Sequence, residues 1–338
     1  MNAGEMKEFY VADAASFENQ VVVSFFAVAS KQLRGRKEGG HYLALTLGDR
    51  TGQIESRMWD NFADAVSGFE QGDVVKVRAE VCRYNGRLQL NLEKLRRASA
   101  DEFELADYVP QTRKDVEELW AALVRSVDSF CDASLQALVR SFLDDPAFAT
   151  AFRQAPAAKT LHHAWLGGLL EHVVSLVGIC ELAARHYPEI NRDLLLTGAI
   201  LHDIGKLEEL RWGTSFDYTL QGQLVGHITI GIAMIEKKLS ALTDFPPALR
   251  MLVEHMVLSH HGKLEFGSPK LPMIPEAVLL HYLDDLDAKM HTMRSEFERH
   301  EAQGGQAGEM TDWVRSMDRP LLDTAAFLKV KTQPGSEE

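Results

Sequence analysis

The chain has 338 residues, 46% of them hydrophobic and 25% charged, with 36 basic side chains against 49 acidic ones and a formal charge of −13. That length predicts two domains, and the composition is that of a globular protein with sizeable cores, which excludes disordered, collagen-like and coiled-coil chains. The three cysteines, Cys82, Cys131 and Cys180, lie far apart with no C-x-x-C pair. This argues against a disulfide framework or a thiolate zinc site and fits a reducing cytoplasm. The N-terminal stretch has no apolar core like that of a signal peptide, and no window approaches 18 uninterrupted apolar residues, so neither secretion nor membrane spanning is expected. The net charge, taken as one number, argues against nucleic acid as a partner. It is unevenly spread, however: residues 1–100 hold 14 basic and 13 acidic side chains, leaving −14 for residues 101–338.

The first hundred residues read as short β-rich runs beginning at Val21, His41, Gln53, Val74 and Leu88, separated by Gly35 to Gly40, Asp49 to Gly52, Gln71 to Asp73 and Tyr84 to Arg87. Asn85-Gly86 between alternating runs is a strong hairpin signal. A short helical stretch around Asp60 to Ala65 gives the order β-β-β-α-β-β, the pattern of an OB-fold barrel. The period changes near Thr112, where Val116, Leu119, Trp120, Leu123 and Val124 recur at helical spacing. Helices then dominate to about residue 300, and Glu301 to Gly308 reads as a flexible break. The expected architecture is therefore a multi-domain α and β chain: an OB-fold barrel over residues 1–105, a helical linker over 106–155, an all-α domain over 156–300 and a C-terminal tail over 301–338.

The thirteen histidines are not unusual in number, but their placement is. Between Leu161 and Asp287 come His162, His163, His172, His202-Asp203, His227, His255, His260-His261, His281, Asp284, Asp285 and Asp287. At the centre, Leu194 to Lys206 is an apolar helix that ends in a polar cluster, which a buried helix rarely carries without a use for it. Adjacent His202 and Asp203 place an imidazole and a carboxylate at one axial level, where both can reach a single cation. Lys206 follows His202 at i+4 and, if the helix continues, shares its face and can meet a phosphate.

This string resembles the HD-domain metal-dependent phosphohydrolases, whose H…HD…H…H…D pattern falls on His172, His202, Asp203, His227, His260 and Asp284. The resemblance implies two cations, one on His172, His202, Asp203 and Asp284, the other on Asp203, His227 and His260, with Asp203 bridging. Asp285 competes with Asp284 for the last position, and His261 and His255 compete for the places of His227 and His260. His162, His163 and His261 are candidate metal or substrate contacts, and Asp287 is a candidate to orient a ligand histidine. Asp203 and Lys206 would carry the chemistry. A His/Asp donor set suits manganese, iron, cobalt or zinc better than magnesium or calcium, and manganese is the first choice.

An OB-fold followed by an HD domain is similar in particular to the YhaM family of 3′-to-5′ exoribonucleases. The likeness includes the His162-His163 pair, the LSHHG string, the LDDLDAKM helix and the MTDWVRSMDRPLL segment, and covers roughly residues 10 to 325. It implies a metal-dependent phosphodiesterase acting on single-stranded RNA, with single-stranded DNA as an alternative, in the cytoplasm and with self-association open. In the barrel, Lys31, Arg34, Arg36 and Lys37 between the first two strands, and Arg83 and Arg87 at the last hairpin, offer a basic surface. Tyr42, Phe25, Phe26, Trp59 and Tyr84 supply aromatic faces, the pairing that single-strand binders use. Two rival readings stand beside this one: an HD phosphohydrolase of nucleotides, cyclic nucleotides or cyclic dinucleotides, and a non-catalytic nucleic-acid-binding module with structural metals.

Overall fold

Apolar alternation builds the first strand: Val22, Phe26 and Val28 face one core, while Phe25 and Ala27 pack against Val74, Ala98 and Tyr108 on the other side. In the computed structural model, which describes residues 7–36, 39–159 and 165–331, this strand is β1 (Val21–Gly35). It is followed by β2 (His41–Asp49), β3 (Gly52–Met58), α1 (Ala63–Val66), β4 (Val74–Tyr84) and β5 (Arg87–Arg97). The sheet closes in the order β1-β2-β3-β5-β4, with β3 and β5 parallel and the other pairs antiparallel. Closure removes the exposed edges that an open sheet would present. Asn85 and Gly86 take positive φ, 48° and 80°, between paired Tyr84 and Arg87, so the expected hairpin turn forms.

One expectation about the barrel changes. The run Lys31 to Arg34, read from sequence as part of a loop, is the second half of β1: Lys31 pairs with Leu45 and Arg34 with Tyr42. A register shift between Val28 and Ser30 breaks the apolar alternation, which is why the sequence seems to stop being a strand there; a bulge bends a strand without ending it.

Below the barrel core, Lys7 is buried with its ammonium 3.2 Å from Ser24 Oγ and 3.3 Å from Asp49 Oδ2, donating also to the Phe25 carbonyl and lying over the Phe26 ring. Burial pulls its pKa down to about 8, against the raising effect of Asp49. Lys7 thus ties the N-terminal segment to β1 and to the end of β2.

The helical unit comprises α2 (Val116–Asp128), α3 (Ala133–Leu143), α4 (Pro146–Gln154), α5 (Gly168–His186), α6 (Arg192–Leu201), α7 (Lys206–Glu209), α8 (Leu220–Val225), α9 (His227–Leu239), α10 (Pro247–Ser259), α11 (Pro275–Ala302) and α12 (Thr324–Lys331). Asp115, Asp132 and Asp145 each accept two backbone N–H groups at the starts of α2, α3 and α4, satisfying donors that a helix leaves unpaired. Helix α6 is buried from Asp193 to Leu201, as an all-round apolar helix must be. Helices α3, α5, α10 and α11 pack against it. Gly198 permits this, since a Cβ there would lie 2.4 Å from Met256 Cε. Past α11, isolated bridges pair Met310 with Leu322 and Val314 with Arg319 ahead of α12.

The chain divides into two compact units, residues up to Gln111 with Arg211–Asp217, and Thr112–Leu210 with the remainder from Tyr218. The inserted piece is a hairpin of β6 (Leu210–Trp212) and β7 (Phe216–Tyr218); Thr214 Oγ1 donates to the Gly72 carbonyl at 2.5 Å. The three cysteines are free. Among the described residues no helix is long and apolar enough to cross a membrane.

Replacing Lys7 with Ala leaves the buried Asp49 carboxylate without its cation and should cost the barrel about 3 kcal/mol. Denaturant unfolding of wild type and variant followed by circular dichroism is the measurement; an unchanged midpoint would count against this role for Lys7.

Candidate metal centre and nucleic-acid interface

Four helices bring five imidazoles to one place. His172 lies on α5, His202 caps α6, His227 opens α9, His260 caps α10 and His261 follows it. The turn that joins α6 to α7 places Asp203 and Lys206. The expected continuous helix through Lys206 does not occur, because α6 ends at Leu201 and residues 202–205 form a turn. Gly205 serves neither as a left-handed cap nor as a flexible joint, having φ −62°. It is needed for close approach: a Cβ would sit 1.9 Å from the His227 carbonyl and 2.7 Å from Gly231 N. The glycine of the HD string therefore sets the distance between Asp203 and His227.

Every ring is tied by Nδ1. That of His172 meets Asp287 Oδ2 at 2.9 Å, and Ser175 Oγ holds the other oxygen of Asp287 at 2.6 Å. His202 Nδ1 donates to the Ala199 carbonyl at 3.0 Å, His260 Nδ1 to that of Val257 at 2.7 Å, and His261 Nδ1 to that of Phe266 at 2.9 Å. His227 Nδ1 donates to Glu209 Oε1 at 3.1 Å. Carbonyl and carboxylate oxygens only accept, so in His202, His227, His260 and His261 the proton sits on Nδ1 and the Nε2 lone pair is left for another partner.

Those lone pairs converge on Asp203. Its Oδ2 is 3.2 Å from His202 Nε2, and its Oδ1 is 3.5 Å from His227 Nε2 and 3.8 Å from His260 Nε2. Asp284 Oδ1 lies 3.1 Å from His172 Nε2 and 3.9 Å from His202 Nε2. Among the described residues, two clusters have ligand atoms mutually within 4.8 Å: His172, His202 and Asp203, and His227, His260 and His261. His202 Nε2, His227 Nε2, His260 Nε2 and Asp203 Oδ1 are buried without a hydrogen-bond partner among the described residues. Buried polar atoms are seldom left so, and an inward-facing set of nitrogen and oxygen lone pairs is what a borderline divalent cation takes. The residues present therefore fit the metals that an HD domain requires.

The remaining candidates sort by position. Asp285 points away and pairs with Lys289 at 2.5 Å. His255 Nε2 accepts from Met273 N, and His281 Nδ1 donates to the His260 carbonyl, its ring filling the space beside Gly262. His162 and His163 lie outside the described residues. Glu209, which fixes His227, has no sequence signal: it lies in an ordinary KLEEL stretch and its partner is eighteen residues away.

Electrostatics prepares the cluster for cations. Burial works against a charged Asp203, but the Lys206 ammonium, 2.6 Å from Oδ2, overrides it and holds the carboxyl well below the usual range. Burial, reinforced by nearby imidazoles, keeps His260 and His261 below their ordinary values and hence neutral. His172 is the exception: although buried, its contacts with Asp284 and Asp287 raise it to about 10. In the metal-free chain it therefore carries a proton below that pH. Metal uptake must displace that proton, so the apparent affinity should rise about tenfold per pH unit between pH 6 and 9. Calorimetric titration of the chelator-stripped chain with manganese across that range measures this; a pH-independent affinity would exclude it.

The barrel carries a separate aromatic and basic surface. Tyr42 stacks on Trp59 at 4.6 Å, the Arg36 guanidinium lies 5.4 Å from the Trp59 ring, and Arg57 lies 6.0 Å from Trp59 and 5.1 Å from Tyr84. Arg57 is absent from the sequence-based candidates because it sits alone in β3; only the register beside Ala44 places it near the aromatic pair. Of the predicted basic residues, Lys31 is engaged with Glu70 and Phe69, Arg34 with Gln32, Arg36 with Asp60, and Arg83 with Glu18. Arg87 is exposed at the hairpin, and Lys37 lies outside the described residues. Phe25 and Phe26 are barrel core and present no face to a base.

Comparison with known proteins agrees with both units. The model of the HD domain matches residues 169–289, and that of the OB-fold nucleic acid binding domain matches residues 27–98. The 3′-5′ exoribonuclease YhaM of Geobacillus sp. (strain WCH70) is 35% identical over 296 residues, covering 87% of this chain and 89% of that protein. Among solved structures, the second OB-fold domain of replication protein A from Methanococcus maripaludis is 24% identical over 23% of this chain and 83% of its own, with a TM-score of 0.19. A murine DNA binding protein bound with double-stranded DNA is 16% identical over 29% and 52%, with a TM-score of 0.23. Overlaps this small carry no argument. The identity to the Geobacillus enzyme spans both units and does: the chain is a hydrolase that joins an OB-fold barrel to an HD domain, and it belongs to the YhaM family of 3′-5′ exoribonucleases.

Proposed function

We propose that this chain degrades single-stranded RNA from its 3′ end, with single-stranded DNA as an alternative substrate, through a site for two divalent cations of which manganese is the first choice. The observation that carries the reading is the convergence of imidazole Nε2 atoms on the two oxygens of Asp203. His172, His202, Asp203 and Asp284 would hold one cation, and Asp203, His227 and His260 the other, with His261 beside the second group. Bound cations of this kind neutralise charge on a phosphodiester and acidify water.

The chain's own groups do the rest. Asp203 presents one oxygen to each cluster, so a single carboxylate fixes the spacing of both halves. Lys206 balances Asp203 while the site is free of substrate, and its partly exposed side chain lets the same ammonium turn to a phosphoryl oxygen. Asp287 keeps His172 oriented. On the barrel, Tyr42, Trp59 and Tyr84 offer faces for bases while Arg36 and Arg57 lie beside them for the backbone. The 3′-to-5′ polarity is supported by the family alone.

Two outcomes follow. With manganese and a 5′-labelled single-stranded RNA, the wild type should shorten the strand stepwise from the 3′ end, and Asp203→Ala should lower the rate about a hundredfold or more with an unchanged far-UV spectrum. Turnover of small nucleotides but not of oligomers would favour the nucleotide phosphohydrolase instead. Trp59→Ala should weaken binding of a short single strand by about 1 to 3 kcal/mol, read by fluorescence anisotropy, while hydrolysis of a nitrophenyl phosphodiester stays at the wild-type rate.

A further inference from the structure

The acid that holds His227 is a part of the site that the HD pattern does not contain. Glu209 closes α7, is 8% exposed, and accepts through one oxygen, Oε1, from two donors of the same residue: the His227 backbone N–H at 3.0 Å and the ring Nδ1 at 3.1 Å. It thereby fixes both the start of α9 and the rotation of the imidazole.

Glu209 is itself held firmly. Its N–H donates to the Gly205 carbonyl at 2.9 Å, and its carbonyl accepts from Thr219 N at 2.9 Å and from Thr219 Oγ1 at 3.2 Å. Thr219 caps α8 with the same hydroxyl, and a Cβ on Gly222 would lie 2.2 Å from the Glu209 carbonyl oxygen. These contacts fix the main chain from which the carboxylate reaches His227.

We infer that Glu209 is a positioning residue for His227, directing its Nε2 toward Asp203 Oδ1 and so completing one of the two cation sites. The inference rests on the two-cation reading above. Its physical basis is general: a carboxylate that accepts the second N–H of a ligand histidine fixes the tautomer, orients the ring and raises its basicity. The three rings of His202, His260 and His261 lean on main-chain carbonyls, which no substitution of a side chain removes. His172 and His227 lean on side chains, Asp287 and Glu209. Each half of the site thus has one acid whose removal should loosen that half alone.

The test is a manganese titration of the chelator-stripped full-length chain, with free ion read by electron paramagnetic resonance and folding followed by circular dichroism. The wild type is expected to take up two ions. Glu209→Ala should keep one at close to wild-type affinity and bind the other about ten- to a hundredfold more weakly, and His227→Ala should weaken the same ion. Glu209→Gln, whose carbonyl oxygen still accepts both N–H groups without the charge, should fall between Ala and wild type. Asp287→Ala should weaken the other ion. Wild-type binding of both ions by Glu209→Ala overturns the inference, and so does equal loss of both ions, or loss of the fold in Glu209→Ala and Glu209→Gln alike, because each marks a purely structural residue. A wild type that binds fewer than two ions brings down the two-cation reading itself, which is a different result from any of these.

Discussion

A carboxylate almost wholly withdrawn from water, Asp203, is the constraint around which the helical unit is arranged. Its ionised form is tolerable only where positive charge or strong donors compensate for the lost hydration. Lys206 at 2.6 Å supplies one partner, while the imidazoles offer lone pairs that repel an unshielded carboxylate oxygen unless a cation lies between. The packing around it makes sense in this light. Helix α6 is apolar on every side because it must carry the His-Asp pair to the middle of the unit, and Gly198 and Gly205 are small because neighbouring helices approach there. Substitution at either glycine would shift the ligands without touching one.

Much of this could be read from residues in sequence. His202 and Asp203 are adjacent, end an apolar run and are followed by a glycine and a lysine, so their roles are written locally. His172, His227, His260 and Asp284 are dispersed, and only the family pattern ties them together; by composition each could be an ordinary core residue. Asp284 and Asp285 show the limit well. They differ by 100° around α11, a rotation that the sequence leaves undetermined and that sends one carboxylate toward His172 and the other to Lys289. Glu209 was illegible because its only marker is a contact made after α7 and α9 have packed. In the barrel, the strand order and the Asn85-Gly86 turn were legible, whereas the extent of β1 was hidden by a bulge and the place of Arg57 by cross-strand register.

The two units solve different electrostatic problems. In the barrel, acidic neighbours already occupy most of the basic side chains that composition offers, Arg83 with Glu18 and Arg36 with Asp60 among them. On the proposed function, affinity for a strand would depend more on stacking, through Tyr42, Trp59 and Tyr84, than a count of cations suggests. In the helical unit the acidity belongs partly to the ligand set and partly to solvated surface, so the overall charge of −13 says little about either task.

The segment from Arg211 to Asp217 makes the polypeptide leave the helical unit after Leu210 and rejoin it at Tyr218. The barrel is therefore assembled from two stretches of chain, and no single cut separates one module from the other. Removing the first 111 residues would strip Thr214 of its Gly72 partner and leave the hairpin uncovered, a few bonds from the acid that steadies His227. An exchange of one barrel for another would therefore have to preserve the seat of a seven-residue segment that comes from the middle of its neighbour's sequence.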